Sequence, residues 1–172
     1  FPCMVSCRSS LQRLDLSGYS SSSGYVSEML THAFLPLLRA LNLAATGISN
    51  NLAKAIPSRC PRLSELDLSD NAQVGDEAVA ALVSLANTLR ILRLERCTNV
   101  TLHSLCELCE LHALRELSLR GTSVPSAAAE EKLGFRRRAS VRHTQAAAAL
   151  VYMRESQVLA EHEARNAHRR AH

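Results

Sequence analysis

The hydrophobic residues of this chain recur in one string, Leu-x-x-Leu-x-Leu, which opens at Leu11, Leu38, Leu63, Leu89 and Leu114. The steps between openings are 27, 25, 26 and 25 residues. Within each string the two later leucines are separated by one residue, the alternation of a short strand with one buried face. Between strings the apolar positions change to helical spacing. Val26, Met29, Leu30 and Ala33 fall at i, i+3, i+4 and i+7. Leu52 and Ile56 serve the second interval, Val79, Leu82, Val83 and Ala86 the third, and Leu105, Leu108 and Cys109 the fourth. The pattern predicts five strands separated by helices, with Pro36 closing the first helix ahead of the second strand.

A fixed period in the twenties built on this string is the signature of a leucine-rich repeat solenoid. The expected fold class is therefore α/β: a solenoid of about five parallel strands with helices behind them, followed by a long C-terminal helix. Residues 1–10 are expected to be the remnant of an upstream repeat and residues 11–124 the repeats, starting at 11, 38, 63, 89 and 114. Residues 125–134 read as a short helix and 135–172 as a basic helical extension. Three places after the last leucine of a string, where the backbone turns, stand Thr46, Asn71, Cys97 and Thr122. A side chain there can bond backbone groups left unpaired by the turn. Asn71 carries donors and an acceptor and suits this best, the threonines less well, and the weak S–H of Cys97 least.

Finer detail resembles the cysteine-containing, RNI-like leucine-rich repeats of F-box/LRR proteins. The matching residues are Cys60-Pro-Arg-Leu63 before a strand, Leu92-Arg-Leu94-Glu-Arg-Cys97-Thr-Asn-Val100-Thr101 after one, and Val74-Gly-Asp-Glu-Ala-Val79 at a helix start. The resemblance implies a curved solenoid with its strands on the concave face. Outward residues there would be Arg13, Asp15 and Ser17; Ala40, Asn42 and Ala44; Glu65, Asp67 and Ser69; Ile91, Arg93 and Glu95; and Glu116, Ser118 and Arg120. Of these, Arg13, Asp15, Asn42, Glu65, Asp67, Arg93, Glu95, Glu116, Ser118 and Arg120 are the candidate partner-binding residues. Parallel neighbours would set Asp67 beside Arg93 and Glu95 beside Arg120. Such pairs are either surface ion pairs of small worth or parts of a mixed-charge docking surface.

Composition narrows the classes. Aromatic residues are 3% with no Trp, which fits an interior of stacked aliphatic side chains better than an aromatic-lined pocket. No apolar run reaches the roughly 18 residues that a membrane span requires. The six cysteines, Cys3, Cys7, Cys60, Cys97, Cys106 and Cys109, occupy repeat positions, which favours reduced thiols over a disulfide framework. The expectation is an intracellular protein, with the cytoplasm favoured and a mitochondrial, cytoskeletal or axonemal assembly as alternatives. A start at Phe1-Pro2-Cys3 reads as a piece of a longer protein.

Motifs for chemistry are few. His103, Cys106, Cys109 and His112 hold zinc-ligand types, but steps of three around one helix cannot close a four-ligand shell. Cys106-Glu-Leu-Cys109 has redox spacing, yet it sits late in a helix, away from the positive helix end that activates such a thiol. The glycines are scattered with no phosphate-binding loop, and no Ser, His and Asp set carries motif context. The expectation is a non-enzymatic chain with no catalytic residue, metal, cofactor or small-molecule substrate.

Charge is uneven. Residues 1–131 carry a net −2 and residues 132–172 a net +6. The stretch from about Val141 to Arg170 lacks Gly and Pro, and as a helix it would extend roughly 45 Å. Its apolar stripe is too short for a coiled coil, so it would fold back on the repeats or enter a partner. Arg136, Arg137, Arg138 and Arg142 form a basic cluster that suits phosphate, an acidic protein surface or plain solvation. These readings converge on a protein-protein interaction module, an adaptor or structural subunit of a larger assembly. The alternatives are a substrate receptor of an SCF-type ubiquitin ligase and a ribosome-associated or other ribonucleoprotein subunit whose tail touches RNA.

Overall fold

The computed structural model describes residues 10–20 and 24–124. These residues form an α/β fold around one five-stranded parallel sheet whose strand order follows the sequence. The strands are β1 (Arg13–Asp15), β2 (Ala40–Asn42), β3 (Glu65–Asp67), β4 (Ile91–Arg93) and β5 (Glu116–Ser118). Between them run α1 (Tyr25–His32), α2 (Asn50–Arg59), α3 (Asp76–Leu82) and α4 (Leu102–Cys109), and a 3-10 turn over Val83–Leu85 prolongs α3. Each strand carries one inward leucine between two outward residues. Those leucines, Leu14, Leu41, Leu66, Leu92 and Leu117, are register partners from one edge of the sheet to the other. Neighbouring helices pack side by side in chain order, so all four cover the same face of the sheet.

The core is one continuous cluster between that face and the helices. Leu38, Leu43, Ile48, Ile56, Leu63, Leu68, Leu82, Leu89 and Leu94 are fully buried in it. Burying a side chain of this size contributes about 1.5–3 kcal/mol. The leucines of the first string, on the edge strand, are only half-buried. Ala53, Ala78 and Leu85, outside the expected stripes, are buried as well. Two helix ends differ from expectation. Helix α1 stops at His32, because Ala33 is already extended while its N–H still bonds Met29, so Pro36 does not close it. Helix α3 tightens into a 3-10 turn after Leu82, which turns Leu85 inward and leaves Val83 and Ala86 half-buried.

Polar groups are arranged with the same period. The residue two places past the last leucine of each string has positive φ: Gly18 (74°), Ala45 (55°), Asp70 (59°), Arg96 (57°) and Gly121 (72°). Glycine reaches this left-handed region freely, whereas Ala45 and Arg96 hold it against a steric cost. The next residue fastens the turn. Asn71 is fully buried, and its Nδ2 donates to the carbonyls of Leu43, Leu68 and Ser69 at 2.8, 2.8 and 3.1 Å. Its Oδ1 accepts from the amides of Gly47 (2.7 Å) and Ile48 (3.2 Å) and from the Thr46 hydroxyl (3.3 Å). Thr46 and Thr122 each bond one carbonyl of their own turn, and Cys97 Sγ donates to Leu68 O at 3.1 Å.

Helix starts are tied across units in the other direction. Asn50, the first residue of α2, accepts from the amides of Gly75 and Ala78 at the start of α3. One period later Asp76, the first residue of α3, accepts from the Thr101 amide (2.8 Å) and hydroxyl (2.6 Å) and from the Ser104 hydroxyl at the start of α4. Gly75 also bridges to Asn99, and a Cβ on it would stand 3.0 Å from the Asn99 carbonyl, so that a larger residue would press the two strands of backbone a few tenths of an ångström apart. Among the described residues no helix is long and apolar enough to cross a membrane.

Candidate partner-binding face

The face of the sheet turned away from the helices carries the ten candidate residues predicted for it. They stand in three rows along the register: Arg13, Ala40, Glu65, Ile91, Glu116; then Asp15, Asn42, Asp67, Arg93, Ser118; then the positions two residues further on, with Glu95 and Arg120. The structure brings several together. Arg13 reaches across the small Ala40 to Glu65, 3.5 Å away and two strands over. Arg93 pairs with Glu116 at 2.9 Å. Both pairs are substantially exposed, where such contacts contribute about 0–1 kcal/mol each.

Not every predicted neighbour becomes a contact. Asp67 and Arg93 are register partners, yet Arg93 turns to Glu116, and Asp67 accepts the Ser69 amide at 2.9 Å. Glu95 is engaged by the Ser118 hydroxyl at 2.7 Å and makes no ion pair with Arg120. Ser118 itself is buried, with its hydroxyl committed to Glu95, so it is a support of this face and not a point of contact on it. Ser69, also expected to face outward, is buried and accepts from the Glu95 amide.

Asp15, Asn42 and Asp67 share a role that their position alone did not reveal. Each accepts the backbone N–H two residues on, from Ser17 (2.9 Å), Ala44 (3.0 Å) and Ser69 (2.9 Å), which ends the strand in an Asx turn. Asp15 also takes the Ser17 hydroxyl at 2.7 Å and the Asn42 amide at 3.1 Å. The Ser17 amide, then the Ser17 hydroxyl, hold the Asp15 carboxyl below its ordinary value. These residues position the face and leave part of each side chain outward. Arg13, Asp15, Glu116 and Arg120 are the exposed members of the set, and of these Asp15 is committed to its turn.

Beside this face, Arg96 grips Asp70 with two bonds, Nε to Oδ1 at 2.6 Å and a terminal nitrogen to Oδ2 at 2.9 Å, clasping two adjacent left-handed turns. At Asp76 burial pushes the carboxyl up, but bonds from Ser104 and Thr101 and the charge of His103 outweigh it, so it stays below its ordinary value of 3.8. The thiols of Cys60 and Cys97 are free and buried. Burial pushes them up to about 12 and about 11, which leaves them protonated and unreactive at neutral pH. His103 and His112 are exposed, and His112 stands 4.0 Å from Glu110. The Cys106 and Cys109 side chains lie outside the described residues, and no group of three metal-ligating side chains assembles among the described ones. The predicted tail contacts Arg136, Arg137, Arg138 and Arg142, with the helices expected over 125–134 and 135–172, also lie outside the described residues.

Sequence reasoning passed over the cross-unit caps at Asn50 and Asp76, although their spacing of 26 residues matches the repeat. No protein-family model matches the chain, and no curated protein matches it either.

Proposed function

We propose that the chain is a leucine-rich repeat solenoid of the cysteine-containing, RNI-like kind, acting as a non-enzymatic protein-protein interaction module. In this reading it is an adaptor or structural subunit of a larger assembly, and other proteins dock on the open face of the sheet. The observation that carries it is the uniform commitment of side chains along five in-register units: leucines inward, turn-fastening polar groups at the strand ends, and open charged groups such as Arg13, Glu116 and Arg120 outward. Extended faces of stacked repeats are binding surfaces by geometry, since each unit adds a strip to one continuous strip array. The basic tail supplies the second contact.

Crosslinking mass spectrometry on the native full-length protein tests this. Crosslinks and solvent protection should fall on Arg13, Arg93, Glu116 and Arg120 and on the tail. Protection confined to the outer surface of α1–α4 would overturn the face assignment. A chain shortened after Gly134 that kept all of its partner binding would remove the tail as a contact.

A further inference from the structure

The residue just before each strand forms its own row, Gln12, Arg39, Ser64, Arg90 and Arg115, tied in register by Arg39 N to Gln12 O (2.7 Å), Ser64 N to Arg39 O (2.8 Å), Arg90 N to Ser64 O (2.8 Å) and Arg115 N to Arg90 O (2.8 Å). Three of the five are exposed arginines whose guanidinium groups meet no carboxylate of the described residues. Arg59, in the last turn of α2, and Arg62 stand at the same end of the sheet. Arg59 adds an independent sign of a missing partner, because its Nε is buried and makes no hydrogen bond. Phe34, half exposed at 51%, flanks this end, next to Leu35, whose amide bonds the Arg59 carbonyl.

We infer that this rim of strand entrances binds an acidic segment of a partner protein, a surface separate from the open face of the sheet. Guanidinium forks fit carboxylates with two parallel bonds. From Arg39 to Arg115 the row crosses three strand steps, about 14 Å, the length of roughly four extended residues. Arg39 and Arg90 stand two strand steps apart and Arg90 and Arg115 one, about 10 and 5 Å, so that the long arginine side chains meet several carboxylates of one extended acidic segment. Four helix C-termini open on the same rim, and at roughly half a negative charge each they offset only about two of its five guanidinium charges. Glu110, beside His112, is the sole carboxylate of the described residues on the turns of this rim. Nucleic acid fits less well. The described residues carry 10 Lys+Arg against 11 Asp+Glu, a net −1, and Phe34 and His112 give little stacking surface along the arginine row.

The experiment is fluorescence anisotropy of the full chain with a labelled extended peptide of alternating Glu and Ser, at low salt. Replacing Arg39, Arg90 and Arg115 together by Gln should weaken binding by about tenfold. Replacing Arg136, Arg137 and Arg138 by Gln should change it by less than roughly twofold. The urea midpoint of each variant checks that the fold is intact, and an Arg90→Gln, Arg115→Gln pair serves if the triple variant is destabilised. Failure of the wild type to bind the peptide overturns the proposal, as does equal binding by the triple variant or a loss that follows the tail. Tighter, rim-dependent binding of a single-stranded RNA would reassign the rim to nucleic acid. None of these outcomes depends on the open face, so its reading stands or falls separately.

Discussion

The two ends of the strands use polar side chains in opposite ways. At the C-terminal end most polar groups are already committed within the fold: Asp15, Asn42 and Asp67 cap turns, Asn71 fastens backbone of two units, Asp76 caps a helix, and Arg96 pairs with the Asp70 side chain. At the N-terminal end Arg39, Arg62, Arg90 and Arg115 are exposed and hold nothing among the described residues. A backbone that turns sharply through a left-handed residue leaves amides and carbonyls that only side chains can satisfy. The entrance to a strand has no such debt, because its amides already bond the neighbouring unit. Apart from Ser64, whose hydroxyl donates to the Arg39 carbonyl, the polar side chains there are left free to meet something else.

Substitutions should separate the two ends by size of effect. Asn71→Ala strands buried amides and carbonyls in two units, and a loss of about 3 kcal/mol in unfolding free energy is expected, read as a lower urea midpoint at unchanged slope. Asp76→Ala removes the shared cap of α4 and should cost about 1–2 kcal/mol by the same measurement.

The Asp76 effect has a pH signature. Because its folded value lies below the ordinary 3.8, its contribution is fully present above that value and is lost as pH falls through the folded one. The difference in stability between wild type and Asp76→Asn should accordingly be flat near neutrality and shrink once pH drops below 3.8.

Ala45→Gly works in the opposite direction. Relief of a left-handed alanine outweighs the extra chain entropy of glycine, for a gain of about 0.5 kcal/mol in thermal or urea unfolding. Arg90→Ala with Arg115→Ala should leave stability within about 0.5 kcal/mol of wild type, since neither side chain touches a carboxylate. A large loss there would erase the contrast between the ends.

Periodicity made the sheet legible because burial repeats through the inner copies: Leu41, Leu66 and Leu92 are interchangeable by position and all are buried, while Leu14 on the edge strand is half-buried. The role of Asn71 was readable too, since its amide offers donors and an acceptor at a known turn position. Helix ends were less so. Pro36 drew the first helix four residues too far, because the chain turned at Ala33 without any breaker residue. On the open face the strand pattern told direction and not partners, and Ser69 and Ser118, expected outward, are buried. Asp67 was engaged by its own turn, and a buried Ser118 took Glu95. The row of Arg39, Arg90 and Arg115 was also in the sequence at repeat spacing, hidden beside leucines that carried the stronger signal.

The caps of Asn50 and Asp76 run forward along the chain, while Asn71 reaches backward. An inner unit is therefore fastened at its helix start by the unit before it and at its strand turn by the unit after it. Opening one unit releases a different end of each neighbour. Amide hydrogen exchange should register this as crossed protection: Ile48 exchanges when the third unit opens, and Gly75 when the second one does. Local melting is thereby converted into shared melting, and a chain of small units behaves as one cooperative body.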